Sequence, residues 1–321
     1  MLIDMPLEEL KRYQGRNPKP ADYDEFWARS LAELEAIPPD IEMTPSAFQT
    51  PYAECFDLYF TGTGGARIYA KFSRPRNDSL SKPGVVVFHG YGGDSYDWCG
   101  LLPFVAANFV VAALDCRGQG GRSEDCIPVK GNTLNGHIIR GAADADPRKL
   151  YFRNVFLDTV RLTKILMSQP DVDPTRIGAT GGSQGGGLSF ACAGLVPEVK
   201  CVAGAFPFLC DYQRVWEMDL ANNAYRDITE YFRHFDRTHA REKEFFTKLG
   251  YVDVQFLAPR IRGKALMLTG LMDTICPPST QFAMFNKIRS EKELILYPDF
   301  GHEGLPDWDD IKLQWMLKEL A

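Results

Sequence analysis

From Gly84 onward, short apolar runs alternate with longer stretches of helical character, and nothing else in the 321-residue sequence restricts the fold so tightly. Residues 85–88, 110–114, 177–180, 201–205, 265–269 and 294–297 read as strands that are apolar on both faces, with 151–167 and 184–195 as helices between them. A strand buried on both faces has to be covered twice, and helices laid over each face supply the cover. The pattern therefore predicts an α/β chain with a mostly parallel, doubly wound sheet. Upstream, 54–60 and 67–73 are β-rich runs separated by Gly62, Gly64 and Gly65, which predicts an antiparallel pair. Earlier still, Tyr23, Phe26, Trp27, Leu31 and Leu34 recur at helical spacing, and Asp22 followed by Glu25 resembles a capping box. A single domain over 1–321 is expected. It carries an N-terminal helical extension over 1–50 and a helical insertion over about 206–258, where charged and aromatic residues break the alternation.

The chemistry-bearing residues fall where such a sheet would gather them. Gly181-Gly182-Ser183-Gln184-Gly185 is a G-x-S-x-G pattern between an apolar strand and a helical run, the context of a nucleophile elbow. Small residues flank the serine because the sharp turn brings other backbone close to it. A serine hydroxyl is a weak nucleophile at neutral pH, so it needs a base within hydrogen-bond reach and a carboxylate that orients the base. Five histidines are present, at 89, 137, 234, 239 and 302. His302 follows the last apolar strand, and Asp273 follows the strand before it, so both would emerge at the carboxyl end of the sheet beside Ser183. Asp299, three residues before His302, is the rival for the acid. The expected fold is the α/β-hydrolase fold, with Ser183 as nucleophile, His302 as base and Asp273 as its orienting partner. His89-Gly90-Tyr91-Gly92-Gly93 follows the strand at 85–88, from which this fold takes one oxyanion donor. The backbone amides of Tyr91 and Gln184 are the expected oxyanion hole, each donor contributing roughly 3–4 kcal/mol in comparable sites. Pro207, Phe208 and Ile275 are candidate walls of a small acyl pocket, with core packing as the alternative.

Composition narrows the partners. Forty-five per cent hydrophobic and 24% charged residues describe an ordinary globular protein, and a formal net charge of −6 offers no basic field for nucleic acid. The first ten residues lack the pattern of a secretory signal, and no apolar run reaches about 18 residues, so membrane partners are not expected and a cytoplasmic location is. Eight scattered cysteines without a Cys-x-x-Cys pair argue against a disulfide framework or zinc site.

Taken in order, Arg117-Gly118-Gln119, Gly181-Gly182-Ser183-Gln184-Gly185, Asp273 within Gly270-Leu271-Met272-Asp273-Thr274-Ile275-Cys276-Pro277-Pro278, and His302-Glu303 resemble the acetyl xylan esterase and cephalosporin C deacetylase group, carbohydrate esterase family 7. The opening Pro6-Leu7-Glu8-Glu9-Leu10 and Asp24-Glu25-Phe26-Trp27 extend the resemblance over nearly the whole chain. It implies deacetylation of xylo-oligosaccharides and related small acetylated molecules, with no cofactor and no metal, by an intracellular homo-oligomer that is usually a hexamer with its active sites facing an internal cavity. Carried over, Ser183, Asp273 and His302 match the triad, Tyr91 and Gln184 the oxyanion amides, and Arg117 and Gln119 a motif that supports the site structurally. Asp94, just after the oxyanion segment, departs from the expected glycine-rich continuation. Two rivals share the fold: a prolyl oligopeptidase-like peptidase or other short-chain carboxylesterase, and a non-catalytic hydrolase-fold binding protein.

Overall fold

The computed structural model describes residues 3–77, 81–131 and 136–321. Nine strands are found among them: β1 (Glu42–Pro45), β2 (Ala53–Thr61), β3 (Arg67–Pro75), β4 (Lys82–Phe88), β5 (Val110–Leu114), β6 (Val172–Gly182), β7 (Cys201–Ala205), β8 (Lys264–Gly270) and β9 (Lys292–Tyr297). They form one sheet in the order β1-β2-β3-β5-β4-β6-β7-β8-β9. The pairs β1–β2, β2–β3 and β3–β5 are antiparallel, and every pair from β5 through β4 to β9 is parallel. The antiparallel entry and parallel body follow the sequence pattern. Strand order reverses between β5, β4 and β6, the kind of switch point where a crevice opens beyond the strand ends.

The helices are α1 (Leu7–Leu10), α2 (Tyr23–Glu35), α3 (Trp98–Ala106), α4 (Tyr151–Met167), α5 (Gln184–Leu195), α6 (Tyr212–Glu217), α7 (Arg226–Phe235), α8 (Glu242–Leu249), α9 (Pro278–Phe285) and α10 (Trp308–Glu319). Alternation along each strand feeds two separate cores, as the period of two requires. Val86, Phe88, Ala112 and Leu114 join the core under α4 and α5, whereas Val85, Val87, Val111 and Ala113 join the one under α3 and α10. That is why these strands are apolar throughout. Helix α2 packs over α4: Trp27 stacks on Phe156 at 5.9 Å and donates its indole N–H to the Tyr251 carbonyl at 3.0 Å.

Three details depart from the sequence reading. Asp22 makes no capping hydrogen bond to α2; its carboxylate instead accepts from the Tyr251 hydroxyl and pairs with Arg29, a tertiary use that outcompetes the local one. The region 1–50 is not wholly helical, because β1 adds an edge strand to the sheet. Within 206–258 the segment before α6 is irregular backbone held beneath the sheet's carboxyl end, and helices begin only at Tyr212. The rest of that stretch is helical and buries its aromatics, with Tyr231 stacked on Phe245 at 4.0 Å and Trp216 against Phe232 at 4.6 Å. Among the described residues no helix is long and apolar enough to cross a membrane.

Candidate active site

Strand β6 delivers Ser183 into a strained turn at φ 56°, ψ −120°, a conformation a side-chain-bearing residue adopts only when its surroundings enforce it. Three hydrogen bonds do so: Ser183 N–H donates to the Ala205 carbonyl, and the Ser183 carbonyl accepts from Gly187 and Phe208 N–H, each at 3.0 Å. Close approach explains the flanking glycine. A Cβ on Gly185 would lie 2.0 Å from the Phe88 carbonyl oxygen, so the start of α5 nests against the end of β4 only without a side chain.

Strands β8 and β9 bring the other two groups. Asp273 lies just beyond β8, and His302 follows β9 in a loop that returns onto it, Met272 N–H donating to the Phe300 carbonyl at 2.9 Å. Gly270 permits this crossing, since a Cβ there would stand 2.2 Å from the Phe300 oxygen. The result is an unbroken chain of contacts. His302 Nε2 lies 2.9 Å from Ser183 Oγ, and His302 Nδ1 lies 2.8 Å from Asp273 Oδ2. Asp273 is fully buried, and its Oδ1 accepts the N–H groups of Ile275 and Cys276 at 2.8 Å each. Those bonds leave Oδ2 aimed at the imidazole. With Nδ1–H donating to the carboxylate, Nε2 is left as acceptor for the serine hydroxyl, the arrangement that can remove a proton from the serine as it attacks. Asp299 is exposed and makes no hydrogen bond to His302, so of the two candidate carboxylates Asp273 is the one bonded to the imidazole.

The oxyanion segment is braced from below. Among the described residues, the N–H groups of Tyr91 and Gln184 have no protein acceptor, as a hole for a developing oxyanion requires. Gln119 holds the neighbourhood: its Oε1 accepts Gly92 N–H at 2.8 Å, and its Nε2 donates to Gln184 Oε1 at 2.8 Å and to Tyr151 Oη at 3.0 Å. Burial lowers the His89 pKa and favours the neutral ring, which accepts Cys116 N–H at 3.0 Å through Nε2. Arg117 is wholly buried and forms two bonds of 2.7 Å to the Asp158 carboxylate plus one of 3.1 Å to the Thr63 carbonyl. Burial opposes the charge on Arg117, yet the Asp158 carboxylate outweighs it and leaves the guanidinium raised; burial also raises Asp158. The two short parallel bonds fit the ionised pair. Replacing Gln119 with alanine is expected to lower kcat for an acetyl ester on the order of 10-fold, below the 10^2–10^3 of deleting a direct oxyanion donor. Steady-state kinetics beside an unfolding curve would check it, and a loss confined to stability would contradict the positioning role.

The proposed pocket walls divide. Phe208 has no accessible surface and is ringed by Tyr91, Phe152 and Tyr225 at 5.6, 6.4 and 4.5 Å, so it is core behind the site rather than an open wall. Pro207 is likewise buried, and Ile275 is partly exposed. The residue the sequence reading passed over is Phe206, at φ 35°, whose partly exposed ring lies 4.7 Å from that of His302. Its place right after the small-residue strand β7 was the available signal. Asp94 is exposed and accepts Tyr96 N–H at 3.1 Å, a local turn. His234 and His239 lie on the insertion surface beside Glu230 and Glu242, and His137 stacks on Tyr151 at 4.4 Å.

Comparison with known proteins identifies the family. The acetyl xylan esterase (AXE1) family matches residues 1–319. Acetyl xylan esterase 1 from Thermoanaerobacterium sp. JW/SL YS485 is 53% identical, with a TM-score of 0.97 over 99% of this chain and 100% of that one. Acetyl xylan esterase from Paenibacillus sp. R4 is 33% identical, with a TM-score of 0.94 over 98% and 100%. Acetyl esterase Axe7A of Xylanibacter ruminicola is 27% identical over 97% of this chain and 70% of its own length. The chain therefore belongs to the acetyl xylan esterase (AXE1) family, and is a carboxylic ester hydrolase of the α/β-hydrolase fold that acts on acetyl esters.

Proposed function

We propose that this chain deacetylates small acetylated carbohydrates, xylo-oligosaccharides first among them and cephalosporin C-type acetates as further substrates, through Ser183, His302 and Asp273. The observation that carries the reading is the continuous hydrogen-bonded line from Ser183 Oγ through both nitrogens of His302 to Asp273 Oδ2. His302 takes the hydroxyl proton as Ser183 attacks the acetyl carbonyl, and the amides of Tyr91 and Gln184 hold the oxyanion. The tetrahedral intermediate collapses to an acetyl-enzyme, with His302 returning the proton to the departing sugar oxygen. Water, deprotonated by the same imidazole, then releases acetate. The steps need no metal or cofactor.

A short acyl group suits the surroundings of Ser183, where Phe206 crowds His302 and the aromatic core around Phe208 backs the loop. Each further methylene has to find room against such walls, at about 1–3 kcal/mol. Acetyl esters should therefore exceed butyryl esters, which carry two more methylenes, in kcat/KM by roughly 30-fold or more, and peptide analogues should not be cleaved. Acetate release from acetylated xylo-oligosaccharides, run beside the butyryl and peptide analogues, tests this. Preference for butyryl esters or peptides would remove the substrate assignment while leaving the nucleophile in place. The family resemblance also supports a cytoplasmic homo-oligomer, hexameric in form. Light scattering on the purified protein tests the assembly, and a monomer at micromolar concentration would exclude it.

A further inference from the structure

One side chain at the site has no task in acyl transfer. Cys276 follows Asp273 by three residues, is fully buried, and is tied to the acid by its own N–H, which donates to Asp273 Oδ1 at 2.8 Å. Asp273, Cys276 and His302 each bring one atom able to ligate a metal, and these atoms all lie within 4.8 Å of one another. Sulfur, imidazole nitrogen and carboxylate oxygen together are a donor set suited to thiophilic d10 cations, whereas Mg2+ and Ca2+ select oxygen donors alone.

We propose that Asp273, Cys276 and His302 form an inhibitory site for thiophilic divalent cations such as Cd2+ and Zn2+. A tetrahedral ion with bonds of about 2.3 Å to sulfur and about 2.0–2.1 Å to nitrogen or oxygen sets its ligands about 3.3–3.6 Å apart. Atoms all within 4.8 Å of one another reach that spacing by side-chain rotations of roughly 1 Å, the hydrogen-bonded His302 Nδ1 and Asp273 Oδ2 at 2.8 Å parting rather than closing, while a water takes the fourth position. The step is ligand exchange without redox chemistry: the Cys276 S–H bond breaks, its proton goes to solvent, and a sulfur–metal bond forms as waters leave the ion. The imidazole that serves Ser183 is then held by the cation, and hydrolysis stops. Binding at the trio stands on the donor set alone; the inhibition rests on His302 acting as the base.

The test uses the full chain in a Cys99→Ser/Cys126→Ser background, because those two thiols are exposed. Acetyl-ester hydrolysis is followed against CdCl2 or ZnCl2, with MgCl2 as control, before and after addition of a chelator. The thiolate-to-cadmium ultraviolet band of the Ser183→Ala variant of this background reports binding independently of activity. Low-micromolar Cd2+ is expected to inhibit reversibly, to give the band at one equivalent, and to need about 100-fold higher concentration with Cys276→Ala or, if that variant folds poorly, Cys276→Ser. Equal sensitivity of the Cys276 variants, or no band at one equivalent, would overturn the site. A band with undiminished hydrolysis would keep the site but overturn its inhibitory role and the use of His302 as base. A preparation inactive on every ester without added metal would count against the hydrolytic reading, with the band still deciding the site.

Discussion

Replacing Ser183 with alanine is expected to lower kcat for acetyl-ester hydrolysis by on the order of 10^5- to 10^6-fold while leaving the unfolding transition close to that of the wild type. In a nucleophile–base–acid unit, loss of the nucleophile removes almost everything the unit does together, and only the contribution of oxyanion donors and substrate binding survives. The backbone here isolates that effect. The bonds that hold residue 183 at φ 56° run through its own N–H and carbonyl, to Ala205, Gly187 and Phe208, so the elbow does not depend on the hydroxyl. Alanine loses only the Oγ that stands 2.9 Å from His302 Nε2. Steady-state assays at high enzyme concentration, paired with thermal melts, measure both halves. A variant retaining a tenth of wild-type activity would place the nucleophile elsewhere.

The second large effect is on stability. Asp158→Ala should destabilise the fold by about 3–5 kcal/mol, because it strands the Arg117 guanidinium where neither partner has any exposed surface. Arg117 also donates to the Thr63 carbonyl, while its own carbonyl accepts from Tyr151 Oη at 2.5 Å, so its movement would carry to Gln119 and the oxyanion segment. Activity should therefore fall together with the denaturant midpoint. The double replacement Arg117→Met/Asp158→Leu removes both charges and should recover much of the stability, since exchanging a buried pair for apolar groups of similar volume is often neutral. Chemical denaturation of the wild type and the two variants at constant m-value provides the comparison. A single variant as stable as the wild type would show that the pair carries no such strain when broken.

The sequence was most readable where a single physical cause acted. Strands β5 and β7 and helices α4 and α5 occupy the predicted bounds, because burial on both faces, or a helical period, marks every residue in them. Strands β4 and β6 begin earlier than expected, because Lys82 pairs with Val172 and the polar stretch Asp173-Pro174-Thr175-Arg176 bulges out of register before pairing resumes at Gly84 and Ile177. The charged helix α10 was not read as a helix, although Trp315 and Met316 reach the core beneath β7. Ser183, Asp273 and His302 were legible because chain order and strand ends place them together. Their support was not. Asp158 sits 41 residues from Arg117 on the buried face of α4, and no local pattern marks it as a partner. Phe206 was absorbed into the insertion, and Phe208 was offered as a wall because apolar residues of a loop and of a core look alike until accessibility is known.

The account rests on an acetyl group passing through Ser183. Rapid quenching of a fast acetyl ester with the wild-type enzyme, followed by mass analysis of its peptides, tests that directly. The expected result is one acetyl group, transiently present on the peptide containing Ser183 and absent from the Ser183→Ala variant. Acetate release with no acetylated peptide under conditions where deacylation is slowed, or an acetyl group on any other residue, would contradict it.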